Sequence, residues 1–227
     1  MLRILESGKK SAKENMEKDS LLLGELGTDP ILHLYDWQSK SGTYGYFINP
    51  EKHLKKSSVS FARRPTGGGI VFHIWDYAFS FLLPSSHPHF SDVPLENYQF
   101  VNQVVLDVME EMFDLKNRTE LIPESFPILG EDHQNFCMAR PTKYDVVYQG
   151  TKIAGAAQRK TKKGYLHQGT ISLCHPNESL LKEVLIHEKD LIEAMKAYTF
   201  APIKPQELSS VRLEVKERLK VAFSERL

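Results

Sequence analysis

A run of glycines beside two arginines constrains this chain more than any other feature. Residues 63–73 read Arg-Arg-Pro-Thr-Gly-Gly-Gly-Ile-Val-Phe-His, so three consecutive glycines lead directly into an apolar segment. Consecutive glycines carry a large conformational-entropy cost, and stable folds use them where backbone passes unusually close to a ligand or to another segment. The apolar runs on either side, residues 59–61 and 70–72, are typical of buried strands. The stretch therefore predicts a strand, a tight glycine-rich turn and a second strand.

Two roles suit such a turn, and the stretch by itself does not choose between them. Exposed backbone amides beside the guanidinium groups of Arg63 and Arg64 would form a cradle for a carboxyl, thioester or phosphate group. The same residues would also serve as a plain glycine-rich hairpin that binds nothing. The first alternative predicts that the turn lines a binding site.

The balance of charge excludes some classes of partner. The chain of 227 residues carries 29 Lys and Arg and 29 Asp and Glu, so its formal net charge is zero. A nucleic-acid-binding domain shows a basic surface, which this composition does not supply. No apolar run reaches the ~18–20 residues of a transmembrane helix, and the first residues lack the layout of a signal peptide. We expect a cytoplasmic protein that binds neither nucleic acid nor membrane.

The two cysteines, Cys137 and Cys174, are candidates for chemistry and not for a disulfide. A reducing cytoplasmic compartment keeps thiols free. Arg140, Lys143 and Lys152 follow Cys137, and nearby cations favour the reactive thiolate form of a cysteine. Cys174 follows a predicted strand, where a thiol is more often structural. Cys137 is therefore the better candidate nucleophile.

Hydrophobic periodicity predicts one α/β domain that spans residues 1–227. Strands are expected at 2–5, 31–35, 43–47, 59–61, 70–72, 78–83, 145–148, 152–154 and 165–173, and helices at 11–27, 94–113, 180–186, 191–198 and 207–225. Prolines and a glycine interrupt residues 115–136, which are predicted to form a long irregular segment. No internal repeat and no break in composition indicates a second domain.

A second motif lies downstream and makes the first more specific. Residues 137–170 read CMARPTKYDVVYQGTKIAGAAQRKTKKGYLHQGT, with Lys152 between two glycines. Such a lysine is a weak signal alone. After RRPTGGGIVFH, however, the two motifs resemble the signature blocks of the family of lipoate–protein ligases and octanoyltransferases, which is related to biotin protein ligases. The resemblance covers about residues 2–173 and includes residues 15–16 and 44–47, which leaves residues 174–227 as C-terminal helices of the same domain.

The resemblance implies a fold, an activity and a set of partners. Members of this family have an α/β (α+β) domain of the class II synthetase or biotin–lipoate ligase type. Its mixed, largely antiparallel sheet is flanked by helices and holds an acyl chain in a tunnel. They attach octanoyl or lipoyl groups to a lysine of lipoyl carrier domains in 2-oxoacid dehydrogenases or of the glycine cleavage H protein. The acyl donor is octanoyl-acyl carrier protein or free lipoate.

Two chemistries occur in this family, and the chain carries marks of both. One subgroup of transferases passes octanoate through a cysteine thioester without a cofactor. In that subgroup the cysteine precedes the lysine much as Cys137 precedes Lys152, and residues 154–158 resemble its AGSAQ segment. Ligases instead use ATP and Mg²⁺ to form lipoyl-AMP, and the triple glycine with residues 71–73 is more similar to theirs. The resemblance therefore implies either reaction.

Two departures from the ligase pattern favour the transferase. The family often has an acidic residue after the histidine of the first motif, and Ile74 stands there, which puts a metal or ribose contact at this edge in doubt. The ~50 residues after residue 173 are too few for the accessory domain of many ligases. His87 and His89 have no further ligand at suitable spacing, so no metal site is predicted. We expect a thioester transferase, with an ATP-dependent ligase or a non-catalytic acyl- or nucleotide-binding module as alternatives.

The motifs also imply which residues form the site. Cys137 is the predicted nucleophile, and Lys152 is predicted to stabilise negative charge at the acyl carbonyl. The predicted substrate-binding residues are Arg63, Arg64, Thr66, Gly67, Gly68, Gly69, His73, Gly155, Gln158 and His167. Asp145 is expected to face solvent. Spacing alone leaves open whether Cys137 and Lys152 meet, because a hairpin that turns at residues 149–150 leaves Cys137 ~10 residues, or ~33 Å of extended strand, away.

Overall fold

Two sheets and a set of helices organise the protein. The computed structural model describes residues 1–115, 118–124, 135–139, 141–187 and 189–227. Within them the strands are β1 (Arg3–Lys10), β2 (Ile31–Trp37), β3 (Ser41–Tyr44), β4 (Ser60–Arg63), β5 (Ile70–His73), β6 (Asp76–Pro84), β7 (Thr119–Leu121), β8 (Val146–Tyr148), β9 (Thr151–Lys160) and β10 (Gly164–Ser172). The helices are α1 (Ala12–Gly24), α2 (Pro94–Phe113), α3 (Glu178–Val184), α4 (Lys189–Tyr198) and α5 (Leu208–Arg226).

The larger sheet has seven strands in the order β1-β2-β6-β10-β9-β8-β7. Strand β1 pairs in parallel with β2, and every other neighbouring pair in this sheet is antiparallel. The smaller sheet has the order β4-β3-β5, with β3 parallel to β4 and antiparallel to β5. This mixed, largely antiparallel arrangement flanked by helices confirms the predicted fold class.

The core lies on both faces of the larger sheet, because β6 and β10 are buried along their whole length. On one face α2 and α5 cover the sheet, and the ring of Phe223 stacks on Phe81 with 4.6 Å between centroids. Burying a side chain of this size stabilises a fold by ~1.5–3 kcal/mol, which anchors α5 to the sheet. On the other face α1 and the smaller sheet supply Met16 and Ala62, which pack against Tyr35 and Ala78. Among the described residues, no helix has the length and apolarity that crossing a bilayer requires.

Helix α1 begins where the sequence predicts. Ser11 is its N-cap, and a reciprocal pair of hydrogen bonds with Glu14 forms a capping box. The buried side of the helix includes Met16 and also two polar residues, Asn15 and Asp19. A fully buried aspartate needs partners, so α1 carries polar contacts into the interior that its apolar stripe does not reveal.

The strands around the glycine-rich turn differ from the prediction. Strands β4 and β5 do not pair with each other, since β3 lies between them, so the plain-hairpin alternative is wrong. Strand β3 ends at Tyr44 and not at residue 47, because Gly45 meets the turn. A Cβ at Gly45 would lie 1.9 Å from the carbonyl oxygen of Gly68. The glycine-rich turn therefore bridges two edge strands of the smaller sheet.

The segment between α2 and β8 was predicted to be irregular, and part of it forms a strand. Strand β7 pairs with β8 and ends the larger sheet, whereas residues 125–134 lie outside the described residues. The β8–β9 hairpin turns at Gln149 and Gly150, as predicted, and both have positive φ angles, 49° and 81°. This turn places Lys152 opposite Val147.

Candidate active site

A narrow cavity lies between the two sheets beneath the glycine-rich turn, with an empty volume of about 370 Å³ including its mouth. Its floor belongs to the larger sheet and its roof to the smaller one. The floor residues are Gly155, Ala156, Ala157, Gln168, Gly169 and Thr170, the roof residues are Thr43, Val71 and His73, and the remaining walls are Met16, Tyr35, Arg64 and Cys137. Arg64, His73, Cys137 and Gly155 were predicted from the motifs, so the structure brings these four together.

Arg64 holds the glycine-rich turn from inside. Its side chain is buried, and its Nη2 donates to the carbonyl oxygens of Gly67 at 2.9 Å and Gly69 at 2.7 Å. Its Nη1 donates to Oγ1 of Thr43 at 2.8 Å. Burial lowers the pKa of the guanidinium, and the neighbouring Cys137 opposes that shift. The carbonyl groups of Gly67 and Gly69 therefore point at Arg64, and the amide of Gly69 points at Cys137.

Cys137 lies against the turn. It begins a short 3-10 helix, Cys137–Ala139, and its half-buried thiol accepts a hydrogen bond from the Gly69 N–H at 3.2 Å. Gly68, with a φ angle of +77°, passes so close that a Cβ there would lie 3.5 Å from Sγ and 3.2 Å from Arg64. The thiol thus sits where the cavity, the backbone amide and the cationic Arg64 meet.

Lys152 reaches the same place from the sheet. Its ammonium donates to the carbonyl oxygen of Cys137 at 3.0 Å and lies 2.7 Å from Oδ2 of Asp145. Gly155 makes room for this arrangement, because a Cβ there would lie 2.4 Å from Lys152 Cε and 2.5 Å from Asp145 Oδ1. A turn between Thr142 and Asp145 brings the chain back to the sheet. The predicted residues Cys137 and Lys152 therefore meet, through the backbone carbonyl of Cys137 and the ammonium of Lys152.

Asp145 does not face solvent, so that expectation was wrong. Its side chain is fully buried, and it accepts hydrogen bonds from the Thr142 N–H at 2.6 Å, the Thr142 hydroxyl at 2.8 Å and the Tyr98 hydroxyl. Tyr98 accepts in turn from the Ala156 N–H. Burial and the adjacent carboxylate raise the pKa of Tyr98, which keeps its hydroxyl a donor. The available signal was that Asp145 directly precedes a buried strand, where a charge requires partners.

His73 forms part of the cavity roof. Its Nδ1 lies 2.7 Å from Oδ2 of Asp76, and its Nε2 lies 2.8 Å from Oγ1 of Thr43. The ring stacks on Trp37 with 4.4 Å between centroids. Since Thr43 also accepts from Arg64, a chain of hydrogen bonds runs from the glycine-rich turn to a buried carboxylate. Asp76, three residues after His73, is thus the acidic partner of this histidine.

Of the ten predicted substrate-binding residues, Arg64, His73 and Gly155 line the cavity. Thr66 and residues 67–69 form the turn above it, and the other three lie elsewhere. Arg63 is exposed and lies over the ring of Tyr46, 4.9 Å from its centroid. His167 and Gln158 are opposite each other in register and face α2, where the His167 ring lies 5.4 Å from Tyr98. Burial lowers the pKa of His167 to about 3. This histidine is neutral at physiological pH and lies on the far side of the sheet.

Sequence reasoning missed the amide that does line the cavity, Gln168. Its Oε1 accepts from the hydroxyl of Thr66 at 2.7 Å, so the predicted residue Thr66 joins the site through it. Its Nε2 donates to Asp19 at 2.6 Å, and Asp19 also accepts from Ser80 and contacts His33. All of these side chains are buried. The glycine-rich turn is thereby linked to α1 by hydrogen bonds.

The remaining candidates lie elsewhere. Cys174 is buried, and desolvation raises the pKa of its thiol, as suits a structural cysteine. Lys143 lies over the ring of Tyr144, and Arg140 is outside the described residues. In the part of the chain that the structure describes, no three His, Cys, Asp or Glu side chains are grouped so that they could hold a metal ion.

The arrangement of the two sheets and the helices is the lipoate–protein ligase fold. The structure of lipoate-protein ligase A bound with ATP matches with a TM-score of 0.69 and 23% identity, over 99% of this chain and 84% of that chain. The bi-partite lipoate protein ligase of Thermoplasma acidophilum matches with a TM-score of 0.68 and 22% identity, over 99% and 82%. At 22–23% sequence identity, these two matches establish a shared fold and nothing further.

The family follows from the sequence comparison. The family model described as lipoyl protein ligase A/B catalytic domain matches residues 11–223, and the chain belongs to this family, as its two motifs predicted. The octanoyltransferase LipM of Bacillus cereus is 30% identical over 97% of this chain and 74% of that protein. LipM of Staphylococcus aureus is 30% identical over 74% of this chain and 64% of that protein. The chain thus spans about two thirds to three quarters of the curated relatives that it matches.

Proposed function

We propose that the protein transfers an octanoyl group to a lysine of lipoyl carrier domains through a thioester on Cys137. The observation that carries this proposal is the position of the Cys137 thiol, at the cavity mouth and bonded to the Gly69 amide at 3.2 Å. A ligase that proceeds through an acyl-adenylate needs no thiol at that point. The similarity to octanoyltransferases named LipM supports the same reaction.

In the first step Cys137 attacks the carbonyl carbon of an octanoyl thioester on acyl carrier protein. A new C–S bond forms, the donor's C–S bond breaks, and the donor leaves as a thiol that takes up the proton released by Cys137. Negative charge develops on the carbonyl oxygen during this exchange. The Gly69 amide lies 3.2 Å from the Cys137 thiol, and the Lys152 ammonium lies 3.0 Å from the backbone carbonyl oxygen of Cys137. Both groups would stabilise that charge.

In the second step the amine of the acceptor lysine attacks the thioester on Cys137. An amide bond forms, the C–S bond breaks, and the thiol of Cys137 regains a proton while the amine loses one. The bond energy of the thioester drives the transfer, so the reaction needs neither ATP nor Mg²⁺. The same fixed positive charge at Lys152 serves both steps, because both pass through a tetrahedral oxyanion.

The proposed partners follow from the reaction. The acceptors are lipoyl carrier domains of 2-oxoacid dehydrogenases or the glycine cleavage H protein, and the donor is octanoyl-acyl carrier protein. Residues 1–227 would act as one catalytic domain in the cytoplasm. Free lipoate with ATP and Mg²⁺ would be the substrates of the alternative ligase reaction.

Intact mass spectrometry tests the proposal directly. The protein is incubated with octanoyl-acyl carrier protein and, separately, with lipoate, ATP and Mg²⁺, and a lipoyl carrier domain is then added. We expect an octanoyl adduct without ATP, its absence in Cys137→Ala, and its passage to the carrier domain. Modification of the carrier domain only when ATP is present would establish the ligase reaction instead.

A further inference from the structure

A row of residues in register crosses the larger sheet beneath the cavity. Gly155 of β9 lies opposite Thr170 of β10, and Thr170 lies opposite Ala78 of β6. Tyr35 of the next strand, β2, packs in one apolar cluster with Ala78. Neighbouring strands are ~4.8 Å apart, so this row extends ~14 Å from β9 to β2.

A matching row crosses the smaller sheet above it. Val71 of β5 lies opposite Thr43 of β3, and Thr43 lies opposite Ala62 of β4. The Val71 end lies near Cys137, whose thiol bonds the amide of Gly69 just before β5 begins. The two rows therefore bound a slot that starts at Cys137 and leads towards β2, β4 and α1.

Met16 of α1 closes the end of the slot that is remote from Cys137. Its side chain is only 3% exposed, lines the cavity and packs in one cluster with Tyr35, Ala62 and Ala78. Tyr35 and Ala78 lie at the end of the row on the larger sheet, and Ala62 lies at the end of the row on the smaller sheet. Met16 thus lies across the end of both rows.

Polar contacts hold Met16 in position. Nε2 of Gln168 lies 3.2 Å from its sulfur and 2.6 Å from Oδ2 of Asp19. Asp19 is fully buried and also bonds His33 and Ser80, at 2.7 Å and 2.6 Å. A methionine is usually an adaptable filler of cores, but this network gives its sulfur a defined place.

We propose that Met16 is the end wall of the acyl cavity and sets the longest acyl chain that the protein transfers, an inference that rests on the proposed function. The acyl carbonyl lies at Cys137, so the chain must extend along the slot towards α1. An extended eight-carbon chain spans about 10 Å, roughly two strand spacings, which brings its methyl end to Ala78. A decanoyl or dodecanoyl chain would require the space that Met16 fills.

Two substitutions of Met16 should change chain length in opposite directions. Hexanoyl, octanoyl, decanoyl and dodecanoyl thioesters of acyl carrier protein compete for the protein, and the masses of the adducts on Cys137 are compared. Met16→Ala should raise the ratio of dodecanoyl to octanoyl adduct by about tenfold or more, because one methylene in an apolar pocket already discriminates by about tenfold. Met16→Phe should lower the octanoyl adduct and spare a hexanoyl adduct. If Met16→Ala does not fold, the ratio of hexanoyl to octanoyl adduct in Met16→Phe tests the role of Met16.

Met195→Ala is the matched control. Met195 is 2% exposed, so the truncation is the same and the burial is similar, but it lines a separate cavity with Met138 and Cys174. That cavity shares Thr170 with the acyl slot. We expect Met195→Ala to keep the chain-length preference of the wild type. A changed preference in Met195→Ala and an unchanged one in Met16→Ala would show that the chain enters the other cavity, and the inference would be wrong.

Equilibrium binding separates this inference from the proposed transfer. Isothermal titration calorimetry with free octanoate and dodecanoate reports the length of the cavity without any acyl transfer. A wild-type protein that forms no octanoyl adduct would refute the transfer, whereas the calorimetric ratio would still decide the role of Met16. Equal ratios of dodecanoate to octanoate affinity in the wild type and Met16→Ala would overturn the end-wall assignment.

Discussion

Lys152 and Asp145 form an ion pair of 2.7 Å in which the side chains are 4% and 0% exposed. They lie on either side of the β8–β9 turn, and the carboxylate also accepts from Thr142 and Tyr98. Burying two charges is unfavourable unless their remaining hydrogen-bonding capacity is satisfied, and here Asp145 is surrounded by donors. The pair therefore holds one ammonium in a fixed place beside Cys137, which is the condition for stabilising charge that develops in a transition state.

Replacing Lys152 by Met should remove that charge with little change in side-chain length. We expect turnover to fall by roughly 10²–10³, as for the loss of one preorganised charge contact. Stability should also fall by ~3–5 kcal/mol, because Asp145 is left buried without its counter-ion. Lys152→Arg should restore activity only in part, since a planar guanidinium does not replace a compact ammonium in a tight site. A folded Lys152→Met protein with turnover within about twofold of wild type would refute the assignment.

Asp145→Asn tests the other half of the pair. The amide keeps the shape of the side chain but leaves the ammonium of Lys152 buried without an anion, so we expect a lower melting temperature and a loss of turnover. The double variant Lys152→Met/Asp145→Asn should regain part of the stability and none of the activity. Urea unfolding and turnover measured on the same preparations give the double-mutant cycle. Strictly additive losses of stability would mean that the two side chains do not interact.

Cys137→Ala should abolish octanoyl transfer, because no other described cysteine lies at the cavity. Cys137→Ser should accumulate an octanoyl ester, since an alkoxide is a far poorer leaving group than a thiolate. Cys174→Ala is the control and should keep activity, because its thiol is buried away from the acyl slot. Adduct mass and transfer to a carrier domain are the measurements. Undiminished transfer by Cys137→Ala would exclude the covalent route.

The glycine-rich turn offers a pair of neighbouring substitutions with different expected results. Gly68 has a φ angle of +77°, and a side chain there would press on Arg64 and Cys137, so Gly68→Val should block the cavity mouth and lower turnover at least tenfold, roughly the effect of ~1.4 kcal/mol. No atom lies within 4 Å of a Cβ built at Gly67, so Gly67→Ala should be close to wild type. Full turnover in Gly68→Val would show that the turn does not border the substrate.

His167 should make the protein sensitive to acid. Burial lowers its pKa to about 3, whereas an unfolded histidine has a pKa of ~6.5. Between these values the unfolded chain binds a proton that the folded chain does not, so stability is lost as the pH falls below ~6.5. His167→Gln should reduce this loss, by up to ~1.4 kcal/mol per pH unit. Urea unfolding at a series of pH values measures the free energy of unfolding of the wild type and of His167→Gln. The same dependence of this free energy on pH in both proteins would contradict the prediction.

Elements that begin at a characteristic residue can be predicted from the sequence. Ser11, as a residue that caps helices, predicts the start of α1, and Pro94 predicts the start of α2. Cys137 and Lys152 could be named in advance because the two motifs resemble the signature blocks of the lipoate–protein ligase and octanoyltransferase family. The predicted starts of the helices depend on residues that are close together in the chain.

Which polar side chains face the cavity depends on the tertiary structure and could not be predicted from the sequence. Successive residues of a strand point to opposite faces, so Gln168 lines the cavity while its neighbour His167 faces α2. The burial of Asp145 depends on Lys152 and Tyr98, which come from other segments, and the place of Met16 depends on two sheets that meet above and below it. Such contacts join residues far apart in the chain, and periodicity within one segment carries no information about the partner across the cavity.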